Sequence, residues 1–154
     1  MQISVHIYYQ LPSEGEIQYL IFSKFKYIYD SQAMDWINEN IEGRPVMLEA
    51  HGSSYSYTNR ISTLTGLPTI VGWHDHEWLW KDDYNWVEAR KADVETIYTS
   101  SDVNQVKDLL ETYEVTYIFV GDEEHKIYAV NDALLQTLGE MVYRNDGAYI
   151  IKVK

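Results

Sequence analysis

The sequence predicts an α/β layered domain in which helices flank a mixed β-sheet and a β-hairpin closes the chain. Segments with helical spacing of apolar residues alternate with short apolar runs, an order typical of such layers. The run from Val115 to Val120 is almost entirely apolar and ends at Gly121, which indicates a strand buried on both faces. Residues 141–144 and 148–152 flank an Asn-Asp-Gly turn, which predicts the hairpin.

Length and composition limit the classes of protein. The 154 residues, of which 45% are hydrophobic and 23% charged, fit one domain over residues 1–154 and exclude disorder. The chain has no cysteine, which excludes disulfides, thiolate metal sites and cysteine nucleophiles. A net charge of −12 opposes phosphate backbones, so we expect no nucleic-acid partner. No apolar run is long enough to span a membrane.

The first half of the chain contains three predicted strands and one helix. We predict strands over residues 3–9, 19–29 and 45–50 from their apolar and aromatic content. Asp30 has the character of an N-cap, and Gly43 stands just past the end of the following helix. The apolar residues that give this helix its spacing are Ala33, Met34, Ile37 and Ile41.

The second half is richer in helix. Residues 61–64 predict one helical turn, and residues 69–71 a short strand. Apolar spacing predicts a helix over residues 86–98, and Asp102 with Gln105 resembles a capping box that begins the next helix. A further short helix is expected around residues 133–138.

Polar and aromatic residues are concentrated between Glu49 and Trp80, after two predicted strands. Because ligands bind beyond the carboxyl ends of strands in open α/β sheets, we predict a pocket there. His74 and His76 are weak candidates for metal ligands, since adjacent residues rarely all face one ion and no second ligand cluster is present. Polar residues lining a loop are the alternative interpretation.

Two charged pairs in this stretch allow different functions. Glu49 and Glu77 can act as acid and base, as in sugar hydrolysis, or serve as solvated or ion-paired groups. Arg60 can hold a carboxylate or phosphate, or form an internal salt bridge. We predict a cross-loop ion pair between Arg60 and Glu77 in the second case.

The same stretch carries a family resemblance in residues 48–80, namely Leu48-Glu49-Ala50, Tyr55-Ser56-Tyr57, Arg60-Ile61-Ser62-Thr63, Thr65-Gly66-Leu67-Pro68-Thr69, Gly72-Trp73, His76-Glu77-Trp78 and Trp80. These residues resemble the C-terminal soluble region of the YYY family, large polytopic membrane proteins of bacteria and archaea. The family is uncharacterised and is similar in plan to membrane glycosyltransferases that use lipid-linked sugars. The resemblance covers roughly residues 30–130.

The resemblance implies an extracytoplasmic soluble domain of a membrane glycosyltransferase-like protein. Its partners would be the membrane portion of the same polypeptide or complex and a glycan or lipid-linked sugar. The catalytic carboxylate would lie in a membrane-proximal loop outside this chain, so no catalytic residue and no cofactor is assigned here. The ligand-binding residues would be Glu49, Tyr55, Tyr57, Arg60, Trp73, His76 and Glu77. The alternatives are a freestanding hydrolase that uses the Glu49–Glu77 pair with or without a metal, and a structural interaction module.

Overall fold

The computed structural model describes residues 27–52, 57–71 and 84–154. The six helices of this part are α1 (Ile28–Asn40), α2 (Arg60–Thr65), α3 (Tyr84–Thr99), α4 (Val103–Thr112), α5 (Asp122–Ile127) and α6 (Asp132–Leu135). Its four strands are β1 (Val46–Leu48), β2 (Val115–Val120), β3 (Gly139–Arg144) and β4 (Tyr149–Val153). A single 3₁₀ turn, Tyr57–Asn59, leads into α2.

The four strands form one mixed sheet in the order β1-β2-β4-β3. β1 pairs with β2 in parallel, while β4 lies antiparallel to both β2 and β3. The β3–β4 pair is the predicted C-terminal hairpin. The predicted fold class, a mixed sheet flanked by helices, is therefore confirmed.

Helices cover both faces of the sheet. Successive side chains of β2 point to opposite faces and are buried on each of them. Ile118 and Val120 pack in a cluster with residues of α3 and α4, whereas Phe119 packs with Ala33, Met34 and Ile37 of α1. All three β2 side chains are fully buried. The near-continuous apolar run of this strand is thus explained by a layer of helix on each side.

The start of α1 differs from the prediction. The helix begins at Ile28, so residues 28 and 29, predicted as the end of a strand over residues 19–29, are helical. Tyr27 occupies the N-cap position without a side-chain cap, and Asp30 lies within the first turn. The Asp30 carboxylate is drawn into the interior by the guanidinium of Arg60, which explains why it does not cap the helix.

Other predicted elements fare unequally. Asp102 caps α4 as expected, because its Oδ1 accepts hydrogen bonds from the N–H groups of Asn104 and Gln105. The strand predicted over residues 69–71 is reduced to one bridge between Met47 and Thr69. The short helix α6 is observed, whereas α5 was not predicted. The strand predicted over residues 3–9 lies outside the described residues. Within the described ranges, no helix combines the length and apolar character needed to cross a membrane.

Candidate functional site: a buried charge cluster at the sheet edge

Four charged side chains meet at the edge of the sheet where the parallel strands β1 and β2 end. Glu49 follows β1, Glu124 lies in α5 just after β2, Asp30 lies in the first turn of α1, and Arg60 begins α2. Each is no more than 3% exposed. We call these four residues the latch. The carboxyl ends of parallel neighbouring strands lie at the same end of a sheet, which brings the segments after β1 and β2 together.

Arg60 is the only cation of the latch, and its guanidinium is enclosed. Its Nη2 lies 2.5 Å from Oε2 of Glu124, and its Nη1 donates to the carbonyl oxygen of Thr58 at 3.3 Å. Its Nε lies 2.6 Å from Oδ2 of Asp30, an ion contact without hydrogen-bond alignment. The guanidinium carbon lies 4.6 Å from the ring centroid of Phe119 and 5.5 Å from that of Tyr57. Both the edges and the faces of the guanidinium therefore have protein partners.

Glu124 joins the ends of the two parallel strands. Its Oε1 accepts a hydrogen bond from the N–H of Ala50 at 2.8 Å, just after β1. Its Oε2 accepts one from the N–H of Gly121 at 2.9 Å, just after β2. Sequence reasoning missed this residue, although a glutamate three residues after the helix N-cap is a capping-box signal. The carboxylate caps its own helix and neutralises Arg60 at the same time.

Glu49 performs a similar task for α2. Its Oε2 accepts a hydrogen bond from the N–H of Ile61 at 2.7 Å, and its Oε1 accepts one from the N–H of Ser62 at 3.1 Å. Asn59 stands at the N-cap position but gives no side-chain cap. A carboxylate eleven residues upstream therefore satisfies two of the four N–H groups that a helix start leaves unpaired.

Burial dominates the pKa values of Glu49 and Asp30. Desolvation raises the pKa of Glu49 to about 7, although the N–H donors of α2 and the charge of Arg60 oppose the rise. Desolvation also raises the pKa of Asp30 to about 6, against the opposing effect of Arg60. Burial by itself would lower the pKa of Arg60, but Glu124 and Asp30 raise it overall. Arg60 stays charged, while part of the surrounding negative charge titrates near neutral pH.

Gly121 leaves the space that brings the latch together. A Cβ atom at this position would lie 2.7 Å from Oδ1 of Asp30 and 3.1 Å from Nη2 of Arg60. We therefore expect Gly121→Ala to lower the free energy of unfolding by about 1–3 kcal/mol, the usual cost of overpacking. Urea unfolding measures the change.

Gly66→Ala provides the comparison for this substitution. Gly66 ends α2 in a left-handed conformation with φ of 71°, and a Cβ there would meet no atom within 4 Å. Its replacement should cost about 1 kcal/mol through backbone conformation alone. An Arg60→Ala background should relieve part of the Gly121→Ala cost and leave that of Gly66→Ala unchanged. Equal costs for Gly121→Ala in both backgrounds would contradict the steric explanation.

Three of the predicted ligand-binding residues lie in the described part of the chain. Glu49 and Arg60 are buried in the latch, while Tyr57 is half-buried and its ring stacks on Tyr27 with 3.7 Å between centroids. Tyr55, Trp73, His74, His76 and Glu77 lie outside the described residues. The predicted Arg60–Glu77 pair and the role of these residues in binding therefore stay predictions.

The geometry of the described acidic side chains favours structural roles over metal binding or acid–base chemistry. In residues 27–52, 57–71 and 84–154, no group of three or more histidine, aspartate or glutamate side chains is arranged to hold a metal ion. Both oxygens of Glu49 are bound to N–H groups of α2 in the interior. This arrangement favours a structural role for Glu49 over acid or base catalysis on a substrate.

A cleft of about 670 Å³ lies at the other end of the strands, where β2 begins and β4 ends. None of the predicted site residues lines it, so the cleft gives no support to the predicted pocket around residues 49–80. Its lining consists of Lys107, Leu110, Glu111, Glu114, Val115, Thr137, Leu138, Val153 and Lys154.

The arrangement of helices and strands matches a solved structure. The match is to the C-terminal globular domain of an oligosaccharyltransferase from Archaeoglobus fulgidus, with a TM-score of 0.53 and 15% sequence identity. It covers 80% of this chain and 95% of that domain. The two chains share a fold. No protein-family model and no curated protein matches this sequence.

Proposed function

We propose that this chain is the globular domain of a glycosylation-related membrane protein, in which it helps to recognise a glycan or lipid-linked sugar and does not catalyse transfer alone. The observation that carries the proposal is the fold shared over 95% of the oligosaccharyltransferase domain. The sequence motif of residues 48–80, which resembles a membrane glycosyltransferase-like family, supports it independently. Fold similarity alone is a weak guide to activity, whereas two independent signals point to one class of protein.

In this proposal some residues of the motif have a structural role and the others bind the ligand. Glu49 and Arg60 anchor the base of the motif by holding α2 against the ends of β1 and β2. The remaining motif residues, Tyr55, Tyr57, Trp73, His76 and Glu77, contact the sugar. Aromatic rings stack on the apolar faces of sugar rings, while imidazole and carboxylate groups bond to hydroxyls. We place the domain on the extracytoplasmic side, with the catalytic carboxylate elsewhere in the protein.

We expect the purified chain to show no transferase activity and to bind glycans weakly, in the millimolar range. The test is a titration with neutral oligosaccharides and a short-chain prenyl-diphosphate sugar, followed through the indole N–H signals of the five tryptophans in an NMR spectrum. The Trp73 signal should move with saturation. Trp86 provides an internal reference, because its ring lies 4.0 Å from the guanidinium of Arg90 in the packed part of the domain. No movement near Trp73 or Tyr55 with any of these ligands would contradict the proposal.

A structural interaction module is the second candidate. The observation that favours it is the burial of Arg60, whose guanidinium is surrounded by protein groups. In this case the motif holds the sheet edge together for a protein partner and binds no small ligand. The hydrolase alternative requires a Glu49–Glu77 pair and is tested by metal analysis and by hydrolysis assays of Glu77→Gln.

A further inference from the structure

A second group of aromatic side chains lies where α1 meets the edge strand β3. Tyr29 and Trp36 are seven residues apart, so they share one side of α1. The Trp36 ring lies 5.4 Å from the ring of Tyr143 on β3, at an interplanar angle of 36°. Tyr29 is 38% exposed, and the other two side chains are half-buried. We call these three residues the aromatic face.

The hairpin turn between β3 and β4 fixes the position of this face. The side-chain amide nitrogen of Asn145 lies 2.9 Å from the carbonyl oxygen of Tyr29, 3.0 Å from the hydroxyl of Tyr143 and 3.2 Å from Oε1 of Gln32. The Oδ1 of Asn145 accepts hydrogen bonds from the N–H groups of Gly147 and Ala148 within the turn. Asn145 thereby connects α1, β3 and the turn through a single amide group.

The Tyr29 side chain packs closely against Gly147 of the turn. A Cβ atom at Gly147 would lie 2.7 Å from Cγ of Tyr29, so only glycine allows the ring to rest there. The Tyr29 side chain is thus packed against the turn, while it is still 38% exposed to solvent. Rings held in this way lose little freedom when a ligand binds.

Two polar groups of the aromatic face, and one of the neighbouring Gln32, are available to a ligand. Among the described residues, the Tyr29 hydroxyl, the Trp36 indole N–H and the amide nitrogen of Gln32 have no hydrogen-bond partner. The helix carries Asp35 and Glu39, both exposed, and no basic residue. Such a surface offers rings and neutral donors but repels phosphate and carboxylate groups.

We propose that the aromatic face binds a neutral saccharide. A sugar ring has apolar C–H faces that stack on aromatic rings and hydroxyls that accept bonds from the indole and amide donors. Three partly exposed rings match one or two sugar units, whereas a stable protein interface buries about 800 Å² on each partner. The surface is separate from the motif residues and shares with the proposed function only its class of ligand.

The test uses the same tryptophan signals with maltotriose, mannotriose and chitotriose as neutral probes and sialyllactose as the anionic comparison. We expect a neutral trisaccharide to shift the Trp36 indole signal with saturation and sialyllactose to bind more weakly. Tyr29→Ala should weaken binding by about 3- to 10-fold, the loss of one stacked ring. Gly147→Ala, which displaces the same ring, should weaken it similarly. Leu64→Ala removes an exposed apolar side chain of α2 and should leave the affinity unchanged.

The outcomes separate this inference from the proposed function. A shift of Trp73 without any shift of Trp36 would overturn the saccharide surface and leave the proposed function intact. A shift of Trp36 alone, abolished in Tyr29→Ala, would support the surface while the proposed function fails. No Trp36 shift with any neutral probe would overturn the inference, as would self-association that shields Trp36 in place of sugar binding.

Discussion

Replacing Arg60 with alanine is expected to lower the free energy of unfolding by about 3–5 kcal/mol. The substitution leaves Asp30 and Glu124 buried with no cation, although each is at most 3% exposed. A loss of this size is a large fraction of the usual stability of a domain, about 5–15 kcal/mol. Urea unfolding of the wild-type and variant chains measures it.

The exposed Arg44 provides the matched control for this prediction. Arg44→Ala removes the same side chain from the surface and should change stability by at most about 0.5 kcal/mol. Arg60→Lys keeps the charge but loses the planar fork, so its stability should fall between those of wild type and Arg60→Ala. A change below about 1 kcal/mol in Arg60→Ala, the level of a surface pair, would contradict a buried latch.

Double-mutant cycles identify the partners of Arg60. Pairing Arg60→Ala with Glu124→Gln or Asp30→Asn should give interaction energies of about 0.5–3 kcal/mol, since these groups touch. The same cycle with Glu77→Gln tests the pair predicted from sequence. Additive effects with Glu77 and coupled effects with Glu124 would show that Arg60 pairs with Glu124 and not with Glu77.

The second large effect concerns pH: stability should fall as the pH rises from about 4.5 to about 8. In the folded chain the pKa of Glu49 is raised from 4.5 to about 7 by burial. Between these values the unfolded chain has released a proton that the folded chain still holds, so raising the pH favours unfolding. The shift corresponds to a loss of about 3 kcal/mol once the pH exceeds the folded pKa. Asp30, raised from 3.8 to about 6, contributes in the same direction at lower pH.

Unfolding free energies measured by urea at a series of pH values test this dependence. Glu49→Gln cannot titrate at this position, so its stability should vary less between pH 5 and pH 8 than that of wild type. Its absolute stability should be lower, because an amide offers only one oxygen to the N–H groups of Ile61 and Ser62. A wild-type stability that rises steadily over this range would contradict the prediction.

Sequence reasoning succeeded where the cause of structure is local. The apolar run of β2, the turn of the hairpin and the cap at Asp102 depend on neighbouring residues, so the pattern alone predicts them. The meeting of the segments after β1 and β2 was not predicted. The sequence placed a pocket after residues 45–50 and 69–71, and the second of these predicted strands is reduced to one bridge.

The partners of buried charges were not predictable in this way. Asp30 has the local pattern of an N-cap, yet a guanidinium thirty residues away in sequence determines its position. Glu124 stands in the charged segment Asp-Glu-Glu-His-Lys, which resembles an exposed surface, and it contacts Arg60 across 64 residues. The capping-box spacing from Gly121 distinguishes Glu124 from Glu123, but only the tertiary structure shows that its carboxylate also pairs with Arg60. The aromatic face was missed for the same reason, since α1 and β3 are far apart along the chain.

The contacts of Glu124 also determine how this chain can be divided. The carboxylate of Glu124, 74 residues from Ala50 in the sequence, joins the segments after β1 and β2 and pairs with Arg60. Cutting the chain between Asp30 and Arg60, or between Arg60 and Glu124, and separating the pieces would remove an ion-pair partner. A charged side chain that is buried and neutralised in the intact chain would then have no counter-charge. Fragments, permuted chains and inserted segments must therefore keep all three positions together.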